Sequence, residues 1–270
     1  MMVRMESISE LEDKFERDGF VLVRDVLTKQ KVRFLREFLI GTLERHEAMP
    51  NMHEGIQTDS ILYRAIWPNF YQINPDWFDI FCNARIVEPL HRLLGDPFVL
   101  TRDSIVHWGY FSVWHTDTTT SEVAGKLLHR DPDWRMLTVG IYLQSGGGLC
   151  VVPGSHREPD PFVEMRKNRG ATGLPVDPEQ WSSPTEINIP TEPGDAVIFD
   201  MRLIHRASNM IPMTSAGESC EKLAIFSRVS RNIPNHVADY TDFQFNGGSV
   251  GDRNLPKLRE LARQYGFLVA

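Results

Sequence analysis

Between Pro97 and Val229 the chain breaks into short runs rich in β-branched, aromatic and aliphatic residues. They are Phe98 to Leu100, Ser104 to Phe111, Leu137 to Leu143, Leu149 to Val152, Glu186 to Ile189, Ala196 to Phe199 and Leu223 to Val229. Gly, Pro, Asp and Asn separate them. Strands this short and this many bury their apolar faces only by stacking into a sandwich or closing into a barrel. The first third of the chain has a different texture. Ser7-Ile8-Ser9-Glu10 is a capping box that opens a helix carrying Leu11 and Phe15, ended by Asp18-Gly19. Phe20 to Val23 reads as a short buried strand. Thr28 reads as the N-cap of a helix with Val32, Leu35, Leu39 and Leu43 at helical spacing. Residues 47 to 75, with Pro50, Gly55, Pro68 and Pro75, read as irregular. A third helix is predicted from Asp76 to Leu94, stopping at Gly95. A last amphipathic helix follows Pro256, with Leu258, Leu261 and Tyr265 facing inward. The predicted order is therefore helices, a run of strands, then a helix, with the helices outside a β-core and no domain boundary.

At 270 residues the chain is long for one average domain, but all-β folds of this size are often single. A net charge of -7 and a pI near 5.7 argue against a nucleic-acid or anionic-membrane partner, which would favour a basic face. No run approaches the about 18 apolar residues of a membrane span. No apolar stretch near the N-terminus reads as a secretory signal. Cys82, Cys150 and Cys220 form no CxxC pair and no zinc pattern, so they read as reduced thiols of a cytoplasmic protein.

The residues that carry chemistry are His115-Thr116-Asp117 and, far downstream, His205 in Gly194-Asp195-Ala196-Val197-Ile198-Phe199-Asp200-Met201-Arg202-Leu203-Ile204-His205. In an extended segment residues two apart share a face, so His115 and Asp117 can address one ion from adjacent positions. Two imidazoles and a carboxylate suit iron(II) with three open positions, and would also tolerate Mn, Co, Ni or Zn. An isolated HxD arises often by chance, so the surrounding blocks decide. They are Phe15-Glu16-Arg17-Asp18-Gly19-Phe20-Val21-Leu22-Val23, Trp114 to Asp117, Gly140-Ile141-Tyr142-Leu143-Gln144, Gly148-Leu149-Cys150-Val151-Val152-Pro153-Gly154-Ser155-His156-Arg157, and Gly194 to Phe199 leading into His205.

On these blocks the chain resembles the phytanoyl-CoA dioxygenase family of iron(II)/2-oxoglutarate oxygenases over nearly its full length. The resemblance implies a mainly β fold with flanking helices, built on a double-stranded β-helix (a cupin-like jelly roll). In that frame one domain covers residues 1–270, with a helical part at 1–96, a jelly-roll core at 97–250 and a C-terminal helix at 254–266. It implies Fe(II) held by His115, Asp117 and His205, 2-oxoglutarate as co-substrate, and O₂ at the remaining position. A small-molecule substrate is oxidised as 2-oxoglutarate is converted to succinate and CO₂. Related halogenases have a small residue in place of the carboxylate, so Asp117 favours hydroxylation or a related oxidation.

The family places an arginine after the distal histidine to hold the far carboxylate of 2-oxoglutarate. Here the best match is Lys222, with Arg228 on the same face of that strand as the competing anchor and Arg206 third. Lysine offers a point charge without arginine's bidentate fork. That departure keeps two rivals open: a cupin-fold metalloenzyme that does not use 2-oxoglutarate (an isomerase or hydrolase), or a non-catalytic binding module. Tyr142 and Gln144 share a strand face and are candidate co-substrate contacts, with Tyr142 as an ordinary core aromatic the alternative. His107 reads as a core histidine or a cavity wall. Thr116 points away from the metal. Gly146-Gly147-Gly148 lacks the residues of a phosphate loop, and Ser155-His156 reads as a turn rather than a catalytic pair. The polar stretch Thr118 to Asp133 reads as a substrate lid or an exposed loop. Substrate identity and oligomeric state leave no mark in the sequence.

Overall fold

The computed structural model describes residues 8–44, 57–58, 61–66, 70–109, 113–123, 125–168, 181–245 and 255–270. The helices are α1 (Ile8–Asp18), α2 (Lys29–Glu44), α3 (Phe70–Ile73), α4 (Ala84–Leu94), α5 (Thr119–Val123), α6 (Phe162–Asn168), α7 (Pro234–Phe245) and α8 (Leu255–Gln264). The strands are β1 (Phe20–Val23), β2 (Gln57–Thr58), β3 (Ile61–Ile66), β4 (Val99–Gly109), β5 (Met136–Tyr142), β6 (Leu149–Val151), β7 (Ile187–Asn188), β8 (Ala196–Asp200), β9 (His205–Ala207), β10 (Leu223–Ser230) and β11 (Leu268–Val269).

Two sheets face each other. The larger has the order β1-β8-β5-β10-β4-β3-β2, antiparallel throughout, with β11 added parallel to β4. The smaller has the order β7-β6-β9, extended by a bridge between His115 and His205. Between them Leu149 and Val151 of β6 pack against Tyr142, Val197, Phe199, Ala224 and Phe226 of the larger sheet. The outer face of the larger sheet is covered by helices: Leu137, Val139, Ile141, Ile198 and Ile225 meet Phe15, Leu35, Leu39 and Leu90. This double cover explains why every residue of β5 is buried, and why its sequence is an apolar run rather than an alternation. The result is a jelly roll with helices on one side, the expected architecture.

Local signals account for most boundaries. Thr28 Oγ1 accepts the Lys31 N–H at 3.2 Å, capping α2 as its sequence implies. Gly19 (φ 82°) turns α1 into β1; a Cβ there would lie 2.4 Å from His156, so only glycine fits.

Several expectations are corrected. The helix expected over Asp76 to Leu94 is split. Pro75–Ile80 is a 3₁₀ segment, and α4 starts afresh after Asn83, whose side chain accepts the Ile86 N–H at 3.3 Å. Asn83 wins because its carboxamide satisfies an otherwise orphaned helix donor. The stretch expected to be irregular from 47 to 75 contains β3, which pairs with β4 from Tyr63↔Gly109 to Ile66↔Val106. Pro50 and Gly55 lie outside the described residues. The strand expected at Phe20 to Val23 is β1, the edge strand beside β8, with Phe20 opposite Phe199. The two runs around Thr101 to Asp103 are one strand, β4, with an irregularity between them. Tyr265 faces out, 41% exposed, because α8 ends at Gln264; Phe267 turns inward instead and stacks on Phe98 at 4.9 Å. Helix α7 and strand β11 had no counterpart in the sequence reading. No described helix is long and apolar enough to cross a membrane.

Candidate metal and co-substrate site

The bridge between His115 and His205 is the geometric origin of the site. The two residues exchange backbone hydrogen bonds, at 3.1 Å from His115 N–H and 3.0 Å from His205 N–H. This brings their rings to 4.1 Å between centroids. Asp117 follows in the next turn, tied by its N–H to the Met201 carbonyl at 2.8 Å. Its Oδ1 lies 3.9 Å from His115 Nε2 and 3.8 Å from His205 Nε2. One donor atom from each residue falls within 4.8 Å of the other two.

Each ring is held by its far nitrogen. His115 Nδ1 meets the Val113 carbonyl and His205 Nδ1 the Leu203 carbonyl, both at 2.9 Å. A carbonyl only accepts, so Nδ1 carries the proton and Nε2 presents a lone pair, the tautomer a metal requires. Burial, with the neighbouring His205 ring, pushes His115 down to about 3, and burial likewise lowers His205. Both imidazoles are thus neutral at physiological pH. Burial alone would raise Asp117, but Arg228, the two imidazoles and the Thr138 hydroxyl outweigh it and hold the carboxyl at about 2. The second oxygen of Asp117 accepts from Thr138 Oγ1 at 2.7 Å and lies 3.2 Å from Arg228 Nη2.

These groups open into a cleft walled by His107, Leu149, Phe199 and Phe226, with Lys222 and Arg228 also reaching it. Lys222 is 4% exposed. Its Nζ donates to the Gly148 carbonyl at 3.2 Å and sits 5.5 Å from the Tyr142 ring centroid. No carboxylate pairs with it among the described residues, and burial lowers it to about 7. A buried ammonium with one carbonyl for company and an open cleft beside it suits an incoming anion. Arg228 is differently placed, committed to Asp117 and, at 4.0 Å, to Asp103. Arg206 lies on the other side of β9, on Asn209 (2.6 Å) and over Trp114 (4.8 Å). The Tyr142 hydroxyl is buried without a hydrogen-bond partner among the described residues, which burial alone makes a weaker acid. Gln144 Oε1 accepts the Leu223 N–H at 2.8 Å, and its Nε2 is buried without a hydrogen-bond partner among the described residues; neither Gln144 nor Tyr142 is part of the cleft wall itself. His107 does line it, with its ring 4.6 Å from that of Phe226.

Thr116 turns away from the cleft, its hydroxyl donating to Asp160 Oδ2 at 2.8 Å. Ser155 accepts the Ile204 N–H at 2.9 Å and has a structural part only. The stretch from Thr118 to Asp133 is pinned rather than loose. Lys126 reaches Asp239 at 3.1 Å, His236 reaches Asp131 at 3.3 Å, and Glu122 holds His129 and Arg130. Thr138, Asp103 and Asp160 were missed in the sequence. Thr138 had a usable signal, since it alternates with Gly140 and Tyr142 on the inward face of a strand that is otherwise apolar.

The family model described as phytanoyl-CoA dioxygenase (PhyH) matches residues 15–211. The chain belongs to the phytanoyl-CoA dioxygenase family. Its reaction class follows: it is an iron- and 2-oxoglutarate-dependent dioxygenase, an enzyme of small-molecule oxidation. Family membership decides against both rivals, the barrel without 2-oxoglutarate and the binding module. Among relatives of this PhyH-family enzyme, ectoine dioxygenase from Sphingopyxis alaskensis is 25% identical over 80% of this chain and 76% of its own. Among solved structures, the epimerase SnoN in complex with Fe3+, α-ketoglutarate and nogalamycin RO is 18% identical, with TM-score 0.57, covering 90% of this chain and 92% of its own. HygX from Streptomyces hygroscopicus with nickel and 2-oxoglutarate bound is 14% identical, with TM-score 0.55, covering 83% and 87%. At these identities the structural likenesses speak for the fold.

Proposed function

We propose that His115, Asp117 and His205 hold one iron(II), that Lys222 receives the distal carboxylate of 2-oxoglutarate, and that the enzyme hydroxylates a small metabolite. The observation that carries the reading is the convergence of Nε2, Nε2 and Oδ1 beside a buried ammonium with no counter-ion among the described residues. The donor set fits the metal: both imidazoles are neutral and fixed in the Nε2-presenting tautomer, and the carboxylate is ionised. Bound there, iron supplies the O₂ chemistry that couples decarboxylation of 2-oxoglutarate to substrate oxidation.

The protein's own part is binding, orientation and shielding. Lys222, protonated as the dianion arrives, gains the partner it lacks in the apoprotein. The Tyr142 hydroxyl and the Gln144 Nε2, both buried without a hydrogen-bond partner among the described residues, are further donors for the co-substrate, while the Gln144 Oε1 accepts the Leu223 N–H. Phe199 and Phe226 make the walls apolar, so water is poorly stabilised and charge interactions inside are strong. An ionised Asp117 retains the third protein ligand, which supports hydroxylation over halide transfer. We also read residues 1–270 as one domain, acting in the cytoplasm; the latter is supported by three cysteines that are all unpaired.

The test is an anaerobic titration of the Fe(II)-loaded protein with 2-oxoglutarate, followed by visible absorbance, with His205→Ala and Lys222→Met as controls. A charge-transfer band in the wild type that is absent in His205→Ala and demands far more 2-oxoglutarate in Lys222→Met supports the assignment. A band unchanged in Lys222→Met removes Lys222 from the anchor role.

A further inference from the structure

Arg228 and Thr138 are opposite one another across the β10–β5 ladder, so their side chains emerge on the same face. Both end on the same atom, Oδ2 of Asp117, at 3.2 Å and 2.7 Å. On its other side Arg228 meets a distortion of β4. Ser227 pairs with Ser104 and Val229 with Leu100, so Thr101 to Asp103 lie opposite Arg228 alone. A bulge of this kind re-aims side chains beside active sites. Here Thr101 Oγ1 donates to the Arg228 carbonyl at 3.1 Å, and Asp103 Oδ2 stands 4.0 Å from Arg228 Nε. That same Oδ2 accepts from the Tyr240 hydroxyl of α7 at 2.6 Å.

We infer that Arg228 is a positioning residue: with Thr138 it occupies Oδ2 of Asp117 and thereby restricts this carboxylate to ligation through Oδ1, while Asp103 and Tyr240 hold the guanidinium in place. The inference rests on the proposed metal assignment. A carboxylate with both oxygens available can rotate to chelate the ion and take a position that the co-substrate or O₂ needs. Two donors on Oδ2 make that rotation costly, because a buried hydrogen bond and a buried ion pair would be broken together. The same arrangement explains why Arg228 does not serve as the 2-oxoglutarate anchor, although it reaches the cleft. The Asp103–Tyr240 pair further ties α7 to the metal ligand through three consecutive polar contacts.

The experiment is Co(II) loading of the full-length protein, in which the visible ligand-field spectrum reports coordination number and carboxylate mode without turnover. Wild type, Arg228→Met, Thr138→Val, Tyr240→Phe, Lys222→Met and His205→Ala are compared at saturating Co(II), before and after 2-oxoglutarate. Thr138→Val and Tyr240→Phe each remove one hydroxyl at nearly constant shape, so they remain informative if Arg228→Met does not fold. The expected result is an altered Co(II) spectrum in Arg228→Met and Thr138→Val before any 2-oxoglutarate is added, and a smaller change in the same direction in Tyr240→Phe. Thr138→Val should also bind Co(II) about tenfold more weakly, the usual effect of removing a group that orients a ligand. Lys222→Met should keep the wild-type Co(II) spectrum before 2-oxoglutarate is added and fail to show the wild-type change after it. Wild-type spectra in both Arg228→Met and Thr138→Val overturn the inference and leave the metal assignment standing. A wild-type Co(II) spectrum in Arg228→Met with 2-oxoglutarate binding lost makes Arg228 the anchor and overturns it as well. A wild type that binds Co(II) no better than His205→Ala defeats the metal assignment itself.

Discussion

Lys222→Met should make the apoprotein more stable and destroy co-substrate binding in the same step. The side chain is 4% exposed and its ammonium has a single carbonyl partner among the described residues, so burial drags it from 10.5 to about 7. At pH 7 the unfolded chain keeps the lysine fully protonated, whereas the folded chain holds it half protonated. Sustaining that difference costs the fold about 4 kcal/mol at most. Methionine matches the length, carries no charge and removes the penalty. Allowing for imperfect packing, the variant should gain about 2 to 4 kcal/mol, or roughly 4 to 8 °C in Tm for a chain of this size. The pH dependence gives an internal check. Between about 7 and 10.5 the unfolded state binds more protons than the folded state at this site, so wild-type stability rises with pH across that window. The contribution of Lys222 is up to about 1.4 kcal/mol per pH unit. The advantage of the variant should therefore shrink steadily from pH 7 to pH 10. Urea melts of both apoproteins at several pH values read this directly, because every other titrating group cancels in the difference. A variant less stable than wild type at pH 7, or a gap that does not close with rising pH, refutes the view of Lys222 as a strained, waiting cation. In the wild type 2-oxoglutarate affinity should fall as pH rises above about 7, since binding selects the protonated lysine.

Three further outcomes follow from the packing around the site. Gly140→Ala places a Cβ 2.7 Å from the Phe226 ring, which walls the cleft, so it should cost about 1–3 kcal/mol in a denaturant melt and weaken 2-oxoglutarate binding. Unchanged values for both would show that the ring has room to retreat. Asp160→Ala strips the Thr116 and Thr119 hydroxyls (2.8 and 2.6 Å) and the Phe162 N–H of their acceptor. It should cost about 1–3 kcal/mol and lower metal affinity, because Thr116 lies between the two proposed ligands His115 and Asp117; undiminished Co(II) binding contradicts the second half. Asn83→Ala removes the cap of α4, far from the cleft, and should cost about 1 kcal/mol in Tm measurements while metal binding stays as in the wild type.

The candidate ligand types, the HxD spacing, the inward face of β5 and the cap at Thr28 are local properties, and local patterns announce them. Short apolar runs bounded by turn residues and a hydroxyl before a helix are read from neighbours in the chain, so β5, β6, β8 and β10 and the start of α2 are legible to within a residue or two. Signals that compete locally were misread: Asn83 divides a continuous helical pattern, and the break at Thr101 to Asp103 is a bulge inside one strand. What remained out of reach depends on pairing across the chain. Whether His205 meets His115 is decided by a bridge between residues ninety positions apart. Lys222 and Arg228 have the same sign and share a strand face, yet among the described residues one has no counter-ion and the other is committed to Asp117. That division arises because the β10–β5 register sets Arg228 opposite Thr138, while Lys222 sits where β10 begins, beside the Gly148 carbonyl. Sequence determined which chemical groups the protein owns; the register of two sheets decided which of them carries a partner and which waits for one.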